Sequence, residues 1–257
     1  MPPVDLLLLV VAGVAAGLSG SIAGLASLFS YPALLAYGLS PVSANVTNTT
    51  ALLSTTAGSA IGSRTELRGQ GRRCAIICAQ AAVGGSIGAL LLLTTPAEAF
   101  ESVVPWLIAF GSIVLLTKDR IRIVAARWRE RVGKPAHVTR TKILWIGVIV
   151  AVGIYGGYFG AAAGVMMLAA LSLQVDEPLA VTNAVKNLAT GAANGTAALA
   201  YMVFGDVDWA AALALAIGCG IGGWIGPGMV RFLPERPLRV GIAVAGLGLA
   251  YVLWTTR

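Results

Sequence analysis

Charge is scarce in this chain: 11% of its 257 residues are Asp, Glu, Lys or Arg, against about 25% in a soluble domain. Hydrophobic residues make up 57%, and the mean hydropathy is +0.83. So little charge cannot coat a water-soluble surface of this size, and the solvent is read as lipid. Histidine occurs once, as His137, and cysteine three times, as Cys74, Cys78 and Cys219. Cys74 and Cys78 lie one helical turn apart and amount to half a zinc site with nothing to complete it. They are read as small apolar residues, and neither a metal nor a cofactor is expected.

Carboxylates are also few, and their positions exclude more. Asp5, Glu66, Glu98, Glu101, Asp119, Glu130, Asp176, Glu177, Asp206, Asp208 and Glu235 all fall at or near the ends of apolar runs. A cation pathway ordinarily carries a buried acid, and none sits mid-span. Proton coupling through a side chain lacks its usual group for the same reason, which favours uniport or proton traffic on the substrate itself. The formal charge of +7 does not indicate nucleic acid, because the basic residues sit between apolar runs and not along one polar surface.

Long apolar runs are what the sequence does have. Eight can be drawn, at 4–37, 41–62, 75–95, 102–117, 143–175, 178–204, 209–230 and 238–254, and a helical span needs roughly 17 to 25 residues. The strongly apolar runs exceed barrel-strand length, so the fold class is an all-α, multi-pass membrane protein. The first and fifth runs are too long for one crossing and are expected to break into hairpins, giving up to ten crossings. The opening "MPPVDLLLLVVAGVAAG" has no Lys or Arg before its apolar run, so it is read as a retained membrane segment and not a signal peptide.

The chain also repeats itself. A shift of 136 residues places Gly17, Gly20 and Gly24 on Gly153, Gly156 and Gly160, and Gly69 on Gly205. The same shift lays "SPVSANVTNTTALLSTTAGS" (40–59) over "AVTNAVKNLATGAANG" (180–195), and a little further on "GGSIG" (84–88) matches "GGWIG" (222–226). One membrane domain over 1–257 is therefore expected to hold repeat 1 (4–117), a basic cytoplasmic linker (118–142) and repeat 2 (143–254). Nine of the 18 Lys and Arg fall in that linker, as in loops retained in the cytoplasm. Loop 63–73 carries Arg64, Arg68, Arg72 and Arg73, while its counterpart carries Asp206 and Asp208. Conversely, Glu98 and Glu101 at 94–101 correspond to a loop holding Arg231, Arg236 and Arg239. The bias flips between halves, which predicts inverted-topology repeats with hairpins broken near Gly20, Gly24, Gly156, Gly157 and Gly160.

Polar side chains concentrate in two matched stretches. On a helix starting near Leu179, the residues Asn183, Lys186, Asn187, Thr190 and Asn194 form one stripe. The matched stretch offers Thr47, Thr50 and Ser54, widened by Asn45, Asn48, Thr49 and Thr55. Two such stripes predict the walls of a shared cavity, with Asn45, Thr47, Asn48, Thr50, Ser54, Asn183, Lys186, Asn187 and Thr190 as substrate-binding residues. Amides, hydroxyls and one ammonium are hydrogen-bond donors, and broken helices add free N–H groups, so the expected ligand is a small anion. The partners expected are that anion and the lipid bilayer, with glycine-rich faces that leave homodimer packing open.

These motifs carry a resemblance. "GLSGSIAG" with Pro32 downstream, "GIYGGYFGAAAG", Pro-x-x-Ala at 41–44, Glu-Pro-Leu-Ala at 177–180 and Gly-Asp-Val-Asp-Trp at 205–209 resemble the TauE/SafE family of sulfite exporters from about residue 8 to 253. The first half departs from the family pattern with "LRGQGRRC" where a second copy of the Gly-x-Val-x-Trp turn is usual. The resemblance implies a multi-pass permease of the cell (inner) membrane that moves sulfite, sulfonates such as sulfoacetate, or related sulfur oxyanions, generally outward, and not an enzyme. Two other classes compete. A membrane scaffold would leave the stripe without a role. An intramembrane serine protease would use Ser19 in "GLSG", which lacks a visible base because His137 lies in the linker.

Overall fold

The computed structural model describes residues 3–132, 139–174, 177–229, 244, 247–248 and 250–255, and among these it contains helices and no strand. In chain order the helices are α1 (Pro3–Ala23), α2 (Ser27–Ala36), α3 (Pro41–Ala51), α4 (Leu53–Gly62), α5 (Gly71–Thr94), α6 (Ala97–Val132), α7 (Thr139–Tyr158), α8 (Ala163–Gln174), α9 (Leu179–Phe204) and α10 (Trp209–Met229). The helices α1, α5 and α10 and the first half of α6 are long and apolar enough to cross a bilayer.

Polarity is distributed in reverse of a soluble protein. Leu7, Leu90, Trp106, Leu199, Val203, Phe204 and Leu213 stand on the outer surface, each more than 60% exposed, while Ser21, Asn45, Thr47 and Lys186 are fully buried. Outward apolar side chains fit hydrocarbon, and the polar groups gather where other helices can satisfy them. This is a multi-pass helical membrane protein.

Local chemistry sets the helix ends. Ser40 caps α3, its hydroxyl accepting from the Ser43 N–H at 3.3 Å with Pro41 at the first helical position. Gly205 closes α9, and Asp208 starts α10 by accepting the Ala211 N–H at 2.9 Å. The Gly-Asp-Val-Asp-Trp motif is thus the stop of one helix and the start of the next. Between α3 and α4 the backbone flattens at Leu52 (φ −66°, ψ −11°), where Ser54 turns its hydroxyl back onto the Ala51 carbonyl at 2.7 Å. Such back-bonding competes with the helical ladder and bends it.

The two overlong apolar runs do break. Run 4–37 divides into α1 and α2 and run 143–175 into α7 and α8, with Gly24 (φ 78°) and Gly160 (φ 79°) taking left-handed conformations at the breaks. Ala162 takes the same region at φ 59° although it has a Cβ, a strain of about 1–2 kcal/mol. The linker expected at 118–142 is helical through Val132 as the continuation of α6, because "KDRIRIVAARWRERV" contains neither Gly nor Pro. Glu98 and Glu101, expected in a loop, lie in the first turns of α6, where the helix dipole favours a carboxylate. His137, Arg231, Arg236, Arg239 and most of run 238–254 lie outside the described residues.

Packing brings distant parts of the chain together. α1 runs along α10, α7 along α5, α9 against α5, and α4 against α10. Glycines let these backbones touch: a Cβ on Gly157 would stand 2.8 Å from the Gly85 Cα, and one on Gly17 would stand 2.8 Å from the Gly223 N. The two breaks themselves meet, since a Cβ on Gly24 would lie 2.6 Å from the Gly164 Cα.

Candidate anion site between the broken helices

A helix that ends inside a membrane leaves four C=O groups without intrahelical partners, and the helix that restarts leaves four N–H groups. In hydrocarbon each unsatisfied group costs several kcal/mol, so something must answer them. At the end of α1, three side chains of α9 do so. Asn183 and Asn187 both donate to the Ser21 carbonyl, at 2.9 and 3.1 Å, and the Lys186 ammonium donates to the Gly20 carbonyl at 3.1 Å. Lys186 is fully buried, and a cation is favoured at the negative end of a helix dipole.

At the end of α7, donors come from two other helices. Asn45 of α3 donates to the Tyr158 carbonyl at 2.8 Å, and the Tyr201 hydroxyl of α9 donates to the Gly157 carbonyl. Tyr155 then clasps the turn, its hydroxyl donating to the Ala161 carbonyl at 2.7 Å. Both carbonyl ends are therefore sealed by side-chain donors.

The N–H ends are met mostly within their own turns: Leu28 and Phe29 donate to the Leu25 and Ala26 carbonyls, and Ala163 and Val165 to the Gly160 and Ala162 carbonyls. Ala26 and Ser27 at the start of α2, and Ala163 and Gly164 at the start of α8, form part of the wall of a half-open cavity. Gly20, Gly24, Gly153, Gly156 and Gly160 give it backbone, Thr55, Thr56, Ser59, Asn187, Thr190 and Asn194 give it polar side chains, and Leu52, Val152, Met167 and Ala193 complete it with apolar ones. The cavity measures about 60 Å³, room for about four water molecules or a small oxyanion. Among the described residues, no acidic or basic side chain lines it.

Its polar groups are identifiable one by one, donors and acceptors both. Ser27 accepts the Asn48 side-chain N–H at 3.2 Å, which leaves its own O–H to donate elsewhere, while Ser30 donates to the Asn48 Oδ1 and fixes that amide's orientation. The Thr55 Oγ1 is buried and has no hydrogen-bond partner among the described residues. Thr190 and Ser59 donate to the Lys186 and Thr56 carbonyls at 3.0 and 3.1 Å, so each presents oxygen lone pairs to the cavity. The two helix starts and the free O–H of Ser27 favour negative charge at this wall, while Thr190 and Ser59 offer lone pairs.

Of the residues expected to bind substrate, Asn187 and Thr190 stand in this wall, with Gly20, Gly24, Gly156 and Gly160 as its backbone. The others serve around it. Asn45, Asn183 and Lys186 cap carbonyls, and Asn48 orients Ser27. Thr50 and Ser54 bond back to their own helix, Thr47 accepts the Asp208 N–H at 3.0 Å, and Gly157 makes the close approach to Gly85. Thr56 and Ser59, which do line the cavity, continue the hydroxyl run of 40–59 past the bend at Leu52. That bend rotates the face a straight-helix count would choose. Ser19, the serine of "GLSG", donates to the Ala16 carbonyl of its own helix at 3.1 Å.

Fold and site together define a helical membrane transporter. The sulfite exporter TauE/SafE model matches residues 9–253, and the chain belongs to that family. It is 27% identical over 235 residues to the probable membrane transporter protein YfcA of Escherichia coli (strain K12), spanning 89% of this chain and 82% of that protein. It is also 27% identical over 128 residues to the probable membrane transporter protein YunE of Bacillus subtilis (strain 168), spanning 48% of this chain and 47% of that one. No solved structure matches the chain.

Proposed function

We propose that the protein is a permease of the cell membrane for small sulfur oxyanions, sulfite foremost, working in the outward direction. One observation supports this reading: at both breaks side-chain donors meet carbonyls at the helix end, while the starts of α2 and α8 stand in the wall of a small cavity that also carries hydroxyl and amide groups. A site without carboxylates and with two helix N-termini stabilises negative charge. Its volume of about 60 Å³ suits an inorganic ion of four heavy atoms better than sulfoacetate, which is about twice as large. The name of the family supplies sulfite and the direction of export.

The same reading takes the molecule as two inverted repeats around the cavity. The corresponding pairings α1 with α10 and α7 with α5 support it, as do the matched φ values of Gly24 and Gly160. Loop 205–208 meets the start of α3 through Thr47 and Ser43, whereas Arg73, after loop 63–70, meets Glu177 just before α9. The two corresponding loops thus sit at opposite ends of the α3–α4 rod, as inversion requires.

The test is flux in liposomes reconstituted with purified protein, comparing sulfite, thiosulfate and sulfoacetate for the parent, Thr55→Val and Asn187→Ala. Saturable sulfite flux that falls about tenfold or more in both variants, while sulfoacetate moves slowly in all, is the expected result; an interaction worth 1.4 kcal/mol is a factor of ten. Absence of flux for every anion from folded parent protein would overturn the reading.

A further inference from the structure

Gln70, Arg73 and Glu177 form the one salt-bridged cluster among the described residues. Arg73, in the first turn of α5, donates through Nη1 to the Glu177 Oε2 at 2.6 Å, and the Gln70 amide donates to both Glu177 oxygens at 3.2 Å. Arg73 and Gln70 belong to the first half of the chain and Glu177 to the second. The pair therefore ties the halves together at the end where α4 finishes and α9 begins, and both of those helices line the cavity.

Two features set this tie apart from an ordinary surface ion pair. The first is its counterpart at the other end, which carries no side-chain charge pair: the Asp208 N–H donates to the Thr47 hydroxyl at 3.0 Å and Ser43 donates to the Asp206 carbonyl at 2.9 Å. Under the 136-residue shift, Arg73 and Glu177 fall on Trp209 and Pro41, so the ion pair exists at one end only. The second is that Arg73 is half used. Its Nη2 is buried without a hydrogen-bond partner among the described residues, and so is the Nε2 of Gln174, three residues before Glu177. A guanidinium offers two parallel N–H groups matched to two oxygens of an oxyanion, and Glu177 takes only one of them.

We propose that Arg73 and Glu177 form the gate at the cytoplasmic mouth of the cavity, with Glu177 occupying on Arg73 the place that a passing oxyanion takes when the gate opens. The arginine-rich loop 63–73 assigns this end to the cytoplasm. An incoming anion that engages Nη2 and displaces the carboxylate releases α5 from the α8–α9 junction, and the carboxylate re-forms the pair once the anion has left. The proposal rests on the cavity being the transport path, but not on which anion is carried.

Side-specific labelling tests it. Cys74, Cys78 and Cys219 are replaced by Ala, the cavity residue Ser59 is replaced by Cys, and its modification by a charged, membrane-impermeant methanethiosulfonate is timed from each face in inside-out and right-side-out vesicles. Glu177→Gln, which keeps the shape and the contact with Gln70, and Arg73→Gln should each label about tenfold faster from the cytoplasmic face and at the parental rate from the other. Glu66→Gln, which neutralises a half-buried carboxylate of the same loop outside the pair, should stay at the parental rate. Parental rates in both pair variants, equal acceleration from the two faces, or equal acceleration in Glu66→Gln would each overturn the gate. Because this readout needs no transported ion, failed sulfite flux with side-specific labelling would sink the substrate and spare the gate. Normal flux with unchanged labelling would do the opposite.

Discussion

The two long polar helices, α9 and the bent rod α3–α4, face the same difficulty with different means. Each must satisfy carbonyls at the end of a broken helix from the other half. α9 brings three donors to α1, including a buried ammonium, whereas α3 brings the single amide of Asn45 to α7 and leaves a second carbonyl to Tyr201 of α9. Freed from capping, the α4 part of the rod turns Thr55, Thr56 and Ser59 to the cavity. α9 is thus given over to holding the break and α4 to presenting hydroxyls, although the two stretches carry a similar pattern of residues.

The comparison can be broken most severely where the two breaks meet. Gly24→Val forces a β-branched residue into φ 78° against the Gly164 backbone, and should cost about 3–5 kcal/mol, read as loss of folded protein in a detergent unfolding series. Removing the heavier cap comes next. Asn183→Ala with Asn187→Ala strips both side-chain donors from the Ser21 carbonyl and should destabilise by about 2–3 kcal/mol. Asn45→Ala should cost only about 1 kcal/mol, because it takes a single donor, from the Tyr158 carbonyl; the buried Oδ1 lost with it, unpartnered among the described residues, is matched by that of Asn183. Equal losses in the two cap variants would show that the halves are not specialised. The smallest change runs the other way: Ala162→Gly relieves a left-handed alanine and should raise stability by about 1 kcal/mol in the same unfolding series.

Much of this arrangement was legible in the residues. Glycines at matched positions marked both breaks, because only a residue without a Cβ can take a positive φ where two backbones nearly touch. The polar stripe of α9 was legible as one face of a helix, since a spacing of three and four residues is enough to align side chains. What that face touches was not. Asn183 and Lys186 were expected in the cavity wall and are spent on the carbonyls of α1, a partner more than 160 residues away in sequence. No local pattern announces which of two neighbouring polar groups will be needed to cap a distant helix end.

Composition and periodicity determined by themselves that this chain is a bundle of membrane helices with two broken hairpins, because hydrophobic length and glycine placement act within a single helix or turn. Membership in the TauE/SafE family was equally within reach, since its motifs are the punctuation of those helices. The tertiary structure alone decided which donors remain for a ligand. A hydrogen bond can be spent once, and only the packing of α9 against α1, and of α3 against α7, shows that the asparagines and the lysine are spent on the protein itself. Ser27, Thr55, Thr56 and the starts of α2 and α8 are left facing the cavity.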